Sequence, residues 1–183
     1  VSAVKGGRCA QLCAPAKVFS IVLSDIVGDP LDMIASGPAY PDRSTAADAH
    51  AVVDKYNLQL SPDMLALLDR PTPAALDNVE THITGSVREL CSAAAAECRA
   101  LGYETHILTA SLGCEAREAG SFLASVAQYH ADTEKPLAFI AGGETVVHIT
   151  GTGKGGRNQE LALSAARGIA GMDNALIFSV GSD

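Results

Sequence analysis

The most specific chemical feature of this 183-residue sequence is a basic, glycine-rich tetrapeptide that occurs near each end. Its two copies are Lys5-Gly6-Gly7-Arg8 and Lys154-Gly155-Gly156-Arg157. Glycine lets backbone N–H groups approach an anion closely, and the flanking basic side chains add charge and paired hydrogen-bond donors. The second copy leads into a predicted helix, whose free N-terminal N–H groups favour a phosphate. Both copies are therefore candidate phosphate- or carboxylate-binding loops.

A second feature is a set of carboxylates that follow predicted strands. They are Asp25 and Asp29 after residues 18–23, Glu144 after residues 137–141, and Asp183 after residues 175–180. Open parallel sheets bind ligands at the carboxyl ends of their strands. Carboxylates at that edge can hold a metal ion or accept a proton from a hydroxyl group. The alternative is that these Asp and Gly residues only form turns.

Other patterns are weaker. Ser36 and Gly37 lie in a polar turn without a GxSxG motif, which favours loop architecture or substrate contact over a nucleophile. Residues 151–156 match GxGxxG, but the acidic residue that a dinucleotide site needs at the end of the next strand is out of place, because Asp173 precedes that strand and Asp183 arrives late. The P-loop pattern also fails, because Gly155 follows Lys154 where Ser or Thr should stand. The five histidines lack metal-binding spacing, and the five cysteines are interpreted as free buried thiols.

Helices and strands must alternate to position these residues. Apolar runs predict strands at 18–23, 104–109, 137–141, 145–149 and 175–180. Capping signals and a 3.6-residue period predict helices after Thr45 and at 62–68, 87–101, 115–130 and 157–170, with a loop at 69–80. The alternation predicts an α/β fold with a Rossmann-like, largely parallel sheet flanked by helices, and one βαβ unit ending in strand 137–141. Residues 137–149 could instead form a hairpin.

The composition excludes several classes of protein. Hydrophobic residues make up 48% and charged residues 19%, which is typical of a globular chain and not of a disordered one. A net charge of -8 argues against non-specific nucleic-acid binding. No apolar stretch approaches the ~20 residues of a membrane-spanning helix, and no secretory leader is visible. We therefore expect a cytoplasmic protein that binds a small molecule, with no nucleic-acid or membrane partner.

Several of these segments together resemble a known family. They are 5–8, 24–29, 34–38, 85–86, 142–145 and 153–160, the last with the sequence GKGGRNQE. Their order and spacing are similar to those of the glycerate 2-kinases with a C-terminal MOFRL domain, many of which carry the older label hydroxypyruvate reductase. The resemblance implies a two-domain α/β enzyme that phosphorylates D-glycerate with ATP and Mg²⁺, usually at the 2-hydroxyl, in a cleft between the domains. A homodimer is a further expectation.

The resemblance also implies roles for individual residues. Arg157 would be a catalytic or phosphate-binding arginine, and Asp25 or Asp183 would bind the metal or act as the base, a choice that the sequence leaves open. Asp29 is the third candidate metal ligand. The predicted substrate- or phosphate-binding residues are Lys5, Gly6, Gly7, Arg8, Ser36, Gly37, Gly142, Gly143, Glu144, Thr145, Lys154, Gly155, Gly156, Asn158, Gln159 and Glu160.

On the same resemblance, the chain is an internal piece of such an enzyme. Residues 1–135 would be the later part of an N-terminal kinase domain, and residues 136–183 the beginning of the MOFRL domain. Two other interpretations stay open. The GxGxxG match suggests an NAD(P)-dependent hydroxypyruvate reductase, and a shortened chain could be a ligand-binding module without catalytic activity.

Overall fold

The computed structural model describes residues 2–24 and 26–181. It divides the chain into two compact units, Val1–Ser86 and Val87–Asp183. The division into domains near residue 135 stays a prediction.

The first unit contains a parallel pair of strands and three helices. Its elements are α1 (Arg8–Cys13), β1 (Val18–Leu23), α2 (Ala46–Lys55), α3 (Pro62–Leu68) and β2 (Val79–Gly85), with a 3₁₀ turn at Ile34–Ser36. The strands run in register from Val18 opposite Val79 to Val22 opposite Ile83. The predicted loop at 69–80 is therefore wrong from Val79 onward. Strand β2 is mostly polar, with Glu80, Thr81 and His82 in succession, and its strand conformation comes from pairing with the apolar β1.

Helices α2 and α3 begin at the predicted capping residues. Thr45 and Asp48 form a reciprocal capping box, in which the Asp48 N–H donates to Thr45 Oγ1 at 3.2 Å and the Thr45 N–H donates to Asp48 Oδ2 at 2.8 Å. The hydrogen bonds from Thr45 lower the pKa of Asp48. Ser61 caps α3 by accepting from the Met64 N–H at 3.3 Å, with Pro62 at the first helical position. Local capping chemistry therefore specifies both helix starts.

The second unit is a βαβ arrangement with two further helices. Its elements are α4 (Val87–Ala100), β3 (Glu104–Leu112), α5 (Ala116–Tyr129), β4 (Leu137–Gly143) and α6 (Arg157–Gly168). Strands β3 and β4 are parallel, with Glu104 opposite Leu137 and Leu112 opposite Gly143. The predicted strand–helix–strand connection is confirmed, and the alternative hairpin at 137–149 is wrong. The described residues thus form an α/β structure with one two-stranded parallel sheet in each unit.

Small residues bring α5 and α6 into close contact in the second unit. Ala116, Ala119 and Leu161 form a buried cluster against which Ile177 packs. A Cβ atom on Gly120 would lie 2.2 Å from the carbonyl oxygen of Leu161, so only glycine allows this approach. The cluster fixes the first turn of α6 beside the start of α5.

Two predicted strands do not form in the described part of the chain. In the segment 145–149, only Val146 makes a bridge, to Glu115. Residues 175–180 have no strand assignment, although their exposure alternates as on a sheet, with Leu176, Phe178 and Val180 exposed. Their apolar pattern fits a strand, but a strand also needs a neighbour that shares its backbone hydrogen bonds.

Three of the five cysteines also differ from the prediction of burial. All five are free thiols, but Cys9, Cys13 and Cys114 are exposed and Cys98 is half-buried. Cys91 is buried on α4, and burial raises the pKa of its thiol. Over residues 2–24 and 26–181, no helix is long and apolar enough to cross a membrane.

Candidate functional site

The carboxyl end of β4 is fixed against β3 by a close backbone contact. A Cβ atom on Gly143, whose φ is 152°, would lie 2.1 Å from the carbonyl oxygen of Leu112. The next residue, Glu144, donates its N–H to the same oxygen at 2.9 Å. Val146 then donates to the Cys114 carbonyl at 3.1 Å. Residues 144–146 therefore run along the connection between β3 and α5, and the Glu144 backbone has a fixed position.

Glu144 forms an ion pair with Arg157, the first residue of α6. The Nη1 atom of Arg157 contacts Glu144 Oε1, and it also lies 3.5 Å from the Thr145 carbonyl oxygen. Both side chains are about half exposed, so solvent and ligands can reach them. The structure thus brings the predicted residues Glu144, Thr145 and Arg157 together at one strand end. A guanidinium held in this position can bind a phosphate or carboxylate through paired hydrogen bonds.

The loop before α6 is open and exposed. A Cβ atom on Gly151, Gly153 or Gly156 would meet nothing within 4 Å, and all of residues 151–160 are exposed, including Lys154. Gly156 occupies the N-cap position of α6, and among the described residues no side chain caps this helix. The first-turn N–H groups, the helix dipole, Lys154 and Arg157 together favour an anion here.

The side chain of Asn158, the second residue of α6, is held by a residue outside the predicted set. Ser179 donates its hydroxyl hydrogen to Asn158 Oδ1 at 2.6 Å. Gln159 and Glu160 follow on the exposed first turn, with Gln159 Oε1 close to Gly155. No motif in the sequence marks Ser179. The one signal for Ser179 is its position two residues after Ile177 in an apolar run, which places both on the same side of an extended chain.

The first copy of the tetrapeptide has different surroundings from the second. Gly6 and Gly7 are buried, and their N–H groups donate to the carbonyl oxygens of Ser36 at 3.0 Å and Gly37 at 2.7 Å. Arg8 donates to the carbonyl oxygens of Ser2, Arg70 and Pro71 at 2.9, 3.0 and 3.3 Å. These donors hold the N-terminal segment on the loop at 34–38 and on the turn after α3. In this structure they are therefore occupied by the protein, and only the Lys5 side chain is exposed.

The loop at 34–38 has an uncommon backbone. Ala35, Ser36 and Gly37 all have positive φ angles, of 49°, 62° and 56°. A Cβ atom on Gly37 would lie 2.8 Å from the carbonyl oxygen of Asp32. Consecutive left-handed residues other than glycine are strained, and such strain is concentrated at functional sites.

A bidentate ion pair supports this loop. Arg43 Nε and Nη2 contact the two oxygens of Asp32 at 2.7 and 2.9 Å. Hydrogen bonding from Arg43 lowers the pKa of Asp32, and Asp32 raises that of Arg43. A mostly apolar cavity of about 270 Å³ lies between the loop and β1, with Ile34, Pro38 and Tyr40 in its lining. Sequence inspection missed both the ion pair and the cavity, because each depends on contacts between separate segments.

Of the three predicted metal-binding aspartates, the structure describes only Asp29. Asp25 and Asp183 lie outside the described residues. Asp29 lies in the loop after β1 with a φ of 54°. No group of three His, Cys, Asp or Glu side chains suited to a metal ion occurs within residues 2–24 and 26–181. The roles of the three aspartates therefore stay predictions.

The predicted binding residues thus fall into two groups, one in each unit. In the first unit, Gly6 and Gly7 contact Ser36 and Gly37. In the second unit, Arg157 contacts Glu144 and Thr145, at the strand end formed by Gly142 and Gly143.

Comparison with known proteins gives matches along the whole chain. A domain of unknown function, DUF4147, matches residues 1–69, and the MOFRL family matches residues 137–183. The chain is 48% identical to a D-glycerate 2-kinase of Thermotoga maritima, over 100% of this chain and 45% of that protein. It is 36% identical to a glycerate 2-kinase of Pyrococcus horikoshii, over 100% of this chain and 44% of that protein. An Agrobacterium vitis relative, 38% identical over 93% of this chain and 47% of its own length, is named provisionally as a hydroxypyruvate reductase.

A solved structure shares the fold. The crystal structure of a glycerate kinase from Thermotoga maritima matches 94% of this chain and 43% of that chain, with a TM-score of 0.82 and 48% identity. The chain therefore spans less than half the length of each of these relatives. Residues 1–69 thus match the DUF4147 family and residues 137–183 the MOFRL family, and the chain as a whole is similar to the glycerate 2-kinases.

Proposed function

We propose that the protein containing this chain transfers the γ-phosphoryl group of ATP to the 2-hydroxyl of D-glycerate. The observation that supports this most directly is the placement of Arg157 at the N-terminus of α6, paired with Glu144 at the end of β4. The glycerate oxygen would attack the γ-phosphorus while the bond to the ADP oxygen breaks, and the hydroxyl proton would leave to a base. Arg157, Lys154 and the first-turn N–H groups would stabilise the charge on the transferred group.

A magnesium ion, when bound to ATP, would offset negative charge on the phosphates. Asp25, Asp29 and Asp183 remain the proposed ligands, with Asp25 or Asp183 as the proposed base. A small-molecule substrate, a cytoplasmic location and a homodimer also belong to this proposal. Names of relatives support the kinase activity at the level of the family.

Reduction of hydroxypyruvate is the second candidate, because two relatives from Agrobacterium vitis have that name. The loop at 151–156 matches GxGxxG, but a dinucleotide site needs a strand directly before the loop. In this structure the preceding segment 145–149 makes one isolated bridge and no strand. The backbone context therefore favours an anion loop of another kind.

One pair of assays on the full-length protein separates the two activities. ADP formation is measured with ATP, Mg²⁺ and D-glycerate, and NADH oxidation is measured with hydroxypyruvate. The proposal expects ADP formation, with 2-phosphoglycerate identified by ³¹P NMR. NADH consumption without ADP formation would contradict it. Binding of ATP–Mg²⁺ and glycerate without turnover, measured by calorimetry, would instead indicate a ligand-binding module.

A further inference from the structure

We propose that Ser179 is a positioning residue for the anion site at α6, and that it acts through Asn158. This inference rests on the proposed kinase function. It adds a residue to the site from a segment outside the glycine-rich loop and outside the helix.

The segment that carries Ser179 is anchored to α5 and α6 by packing. Ile177 lies against the buried cluster of Ala116, Ala119 and Leu161. In an extended chain, residues two apart point to the same side, so Ser179 faces α6 as Ile177 does. The neighbours on the other side, Phe178 and Val180, are 71% and 76% exposed. The position of Ser179 at the first turn of α6 is therefore set by a hydrophobic anchor two residues earlier.

The hydrogen bond determines which end of the Asn158 carboxamide is available. Ser179 donates to Asn158 Oδ1 at 2.6 Å, a short distance for a hydroxyl donor. With the oxygen occupied, the NH₂ group is the polar end left for a ligand, and it can only donate. A donor is what an anion needs beside Arg157 and the first-turn N–H groups. Ser179 would thus favour the amide orientation that suits a phosphate or carboxylate.

The test compares Ser179→Ala, Asn158→Ala and the double variant in the full-length protein, by initial rates of ADP formation. We expect Ser179→Ala to raise the KM of one anionic substrate roughly 3- to 10-fold, the range for one neutral hydrogen bond, with kcat changed less. The substrate whose KM rises identifies the anion, ATP phosphate or glycerate carboxylate. Ser179→Thr keeps the hydroxyl and should restore the wild-type KM.

The double variant separates positioning from a merely structural role. If Ser179 acts through Asn158, its removal should have no further effect on KM in the Asn158→Ala background. Ser125→Ala is the matched control, since its hydroxyl donates to the Ser121 carbonyl on α5, away from this site. An unchanged KM in Ser179→Ala, or an equal rise in both backgrounds, would overturn the inference. Absence of ADP formation by the wild-type protein would instead overturn the proposed function, and the inference with it.

Discussion

Gly143 and Leu112 meet so closely that a Cβ atom at Gly143 would lie 2.1 Å from the Leu112 carbonyl oxygen. The two residues are register partners at the carboxyl ends of β4 and β3. Directly after this contact the chain reaches Glu144, which pairs with Arg157. The placement of the candidate site therefore depends on the absence of a side chain at one position.

The first prediction concerns this contact. Gly143→Ala should lower the free energy of unfolding by about 2–4 kcal/mol, because the new methyl group meets backbone atoms and the φ of 152° suits only glycine. Urea unfolding of the full-length protein measures the effect. Gly153→Ala is the control, since a Cβ atom there meets nothing within 4 Å. Equal losses in the two variants would contradict the steric explanation.

The second prediction concerns Arg157. Arg157→Ala should lower kcat for ADP formation by about 10²- to 10³-fold, the usual cost of one group that stabilises charge in a transition state. The melting temperature should stay near that of the wild type, because the side chain is about half exposed. Arg167→Ala, an exposed arginine near the end of the same helix, should retain activity. Normal turnover by Arg157→Ala would remove this residue from the mechanism.

The third prediction concerns the carboxylate that pairs with Arg157. In Glu144→Gln the charge that competes with a ligand for the guanidinium is lost, so the KM for ATP or glycerate should fall. Since Arg157 is then held less firmly, kcat should fall as well. Steady-state kinetics give both values, and Glu97→Gln on the exposed face of α4 serves as the control. A KM that rises would show that Glu144 itself contacts the substrate.

The fourth prediction concerns the two copies of the tetrapeptide. Arg8→Ala should reduce the free energy of unfolding by about 1–3 kcal/mol, because its guanidinium donates to three backbone carbonyl oxygens. Compared with Arg8→Ala, Arg157→Ala should lower the free energy of unfolding less and the rate of ADP formation more. Chemical unfolding and ADP assays on both variants provide the comparison. The opposite pattern would show that the first copy is the ligand-binding one.

The fifth prediction is a pH dependence at the start of α2. Hydrogen bonds from Thr45 lower the pKa of Asp48 in the folded state, so the carboxylate form stabilises the fold. This stabilisation is complete above the unfolded-state pKa and is lost as the pH falls through the folded-state value. The difference in unfolding free energy between wild type and Asp48→Asn should therefore shrink on acidification from about pH 6 to about pH 3. A difference that stays constant over this range would exclude the capping box as its source.

Local signals predicted much of the fold. The capping residues Thr45 and Ser61 mark helix starts that the structure confirms, and the apolar run at 18–23 is strand β1. Strand β2 was not predicted, because its polar residues acquire their conformation only by pairing with β1. The segment 175–180 shows the converse, since its apolar run lacks a strand neighbour in the described residues.

The contacts of the candidate site, like strand β2, could not be predicted from local sequence patterns. Two identical tetrapeptides have different environments, because the Gly6 and Gly7 N–H groups meet carbonyl oxygens of a distant loop whereas Gly156 lies in the open. Sequence alone cannot distinguish them, since the difference comes from residues 36 and 37. The pairing of Glu144 with Arg157 likewise requires the register of β3 and β4, which no local pattern specifies.

The close approach of α5 and α6 has a mechanical consequence. Gly120 and Gly168 bring the two helices together at both ends of their contact, against the Leu161 carbonyl and the Ala124 side chain. When the backbone of one helix contacts the neighbouring helix directly, with no long side chain between them, neither helix has room to slide or tilt independently. Helices α5 and α6 should therefore move as one rigid body. Any adjustment of Arg157 to a ligand must then come from rotation of its own side chain. The length of that side chain limits the ligand positions that the guanidinium can contact.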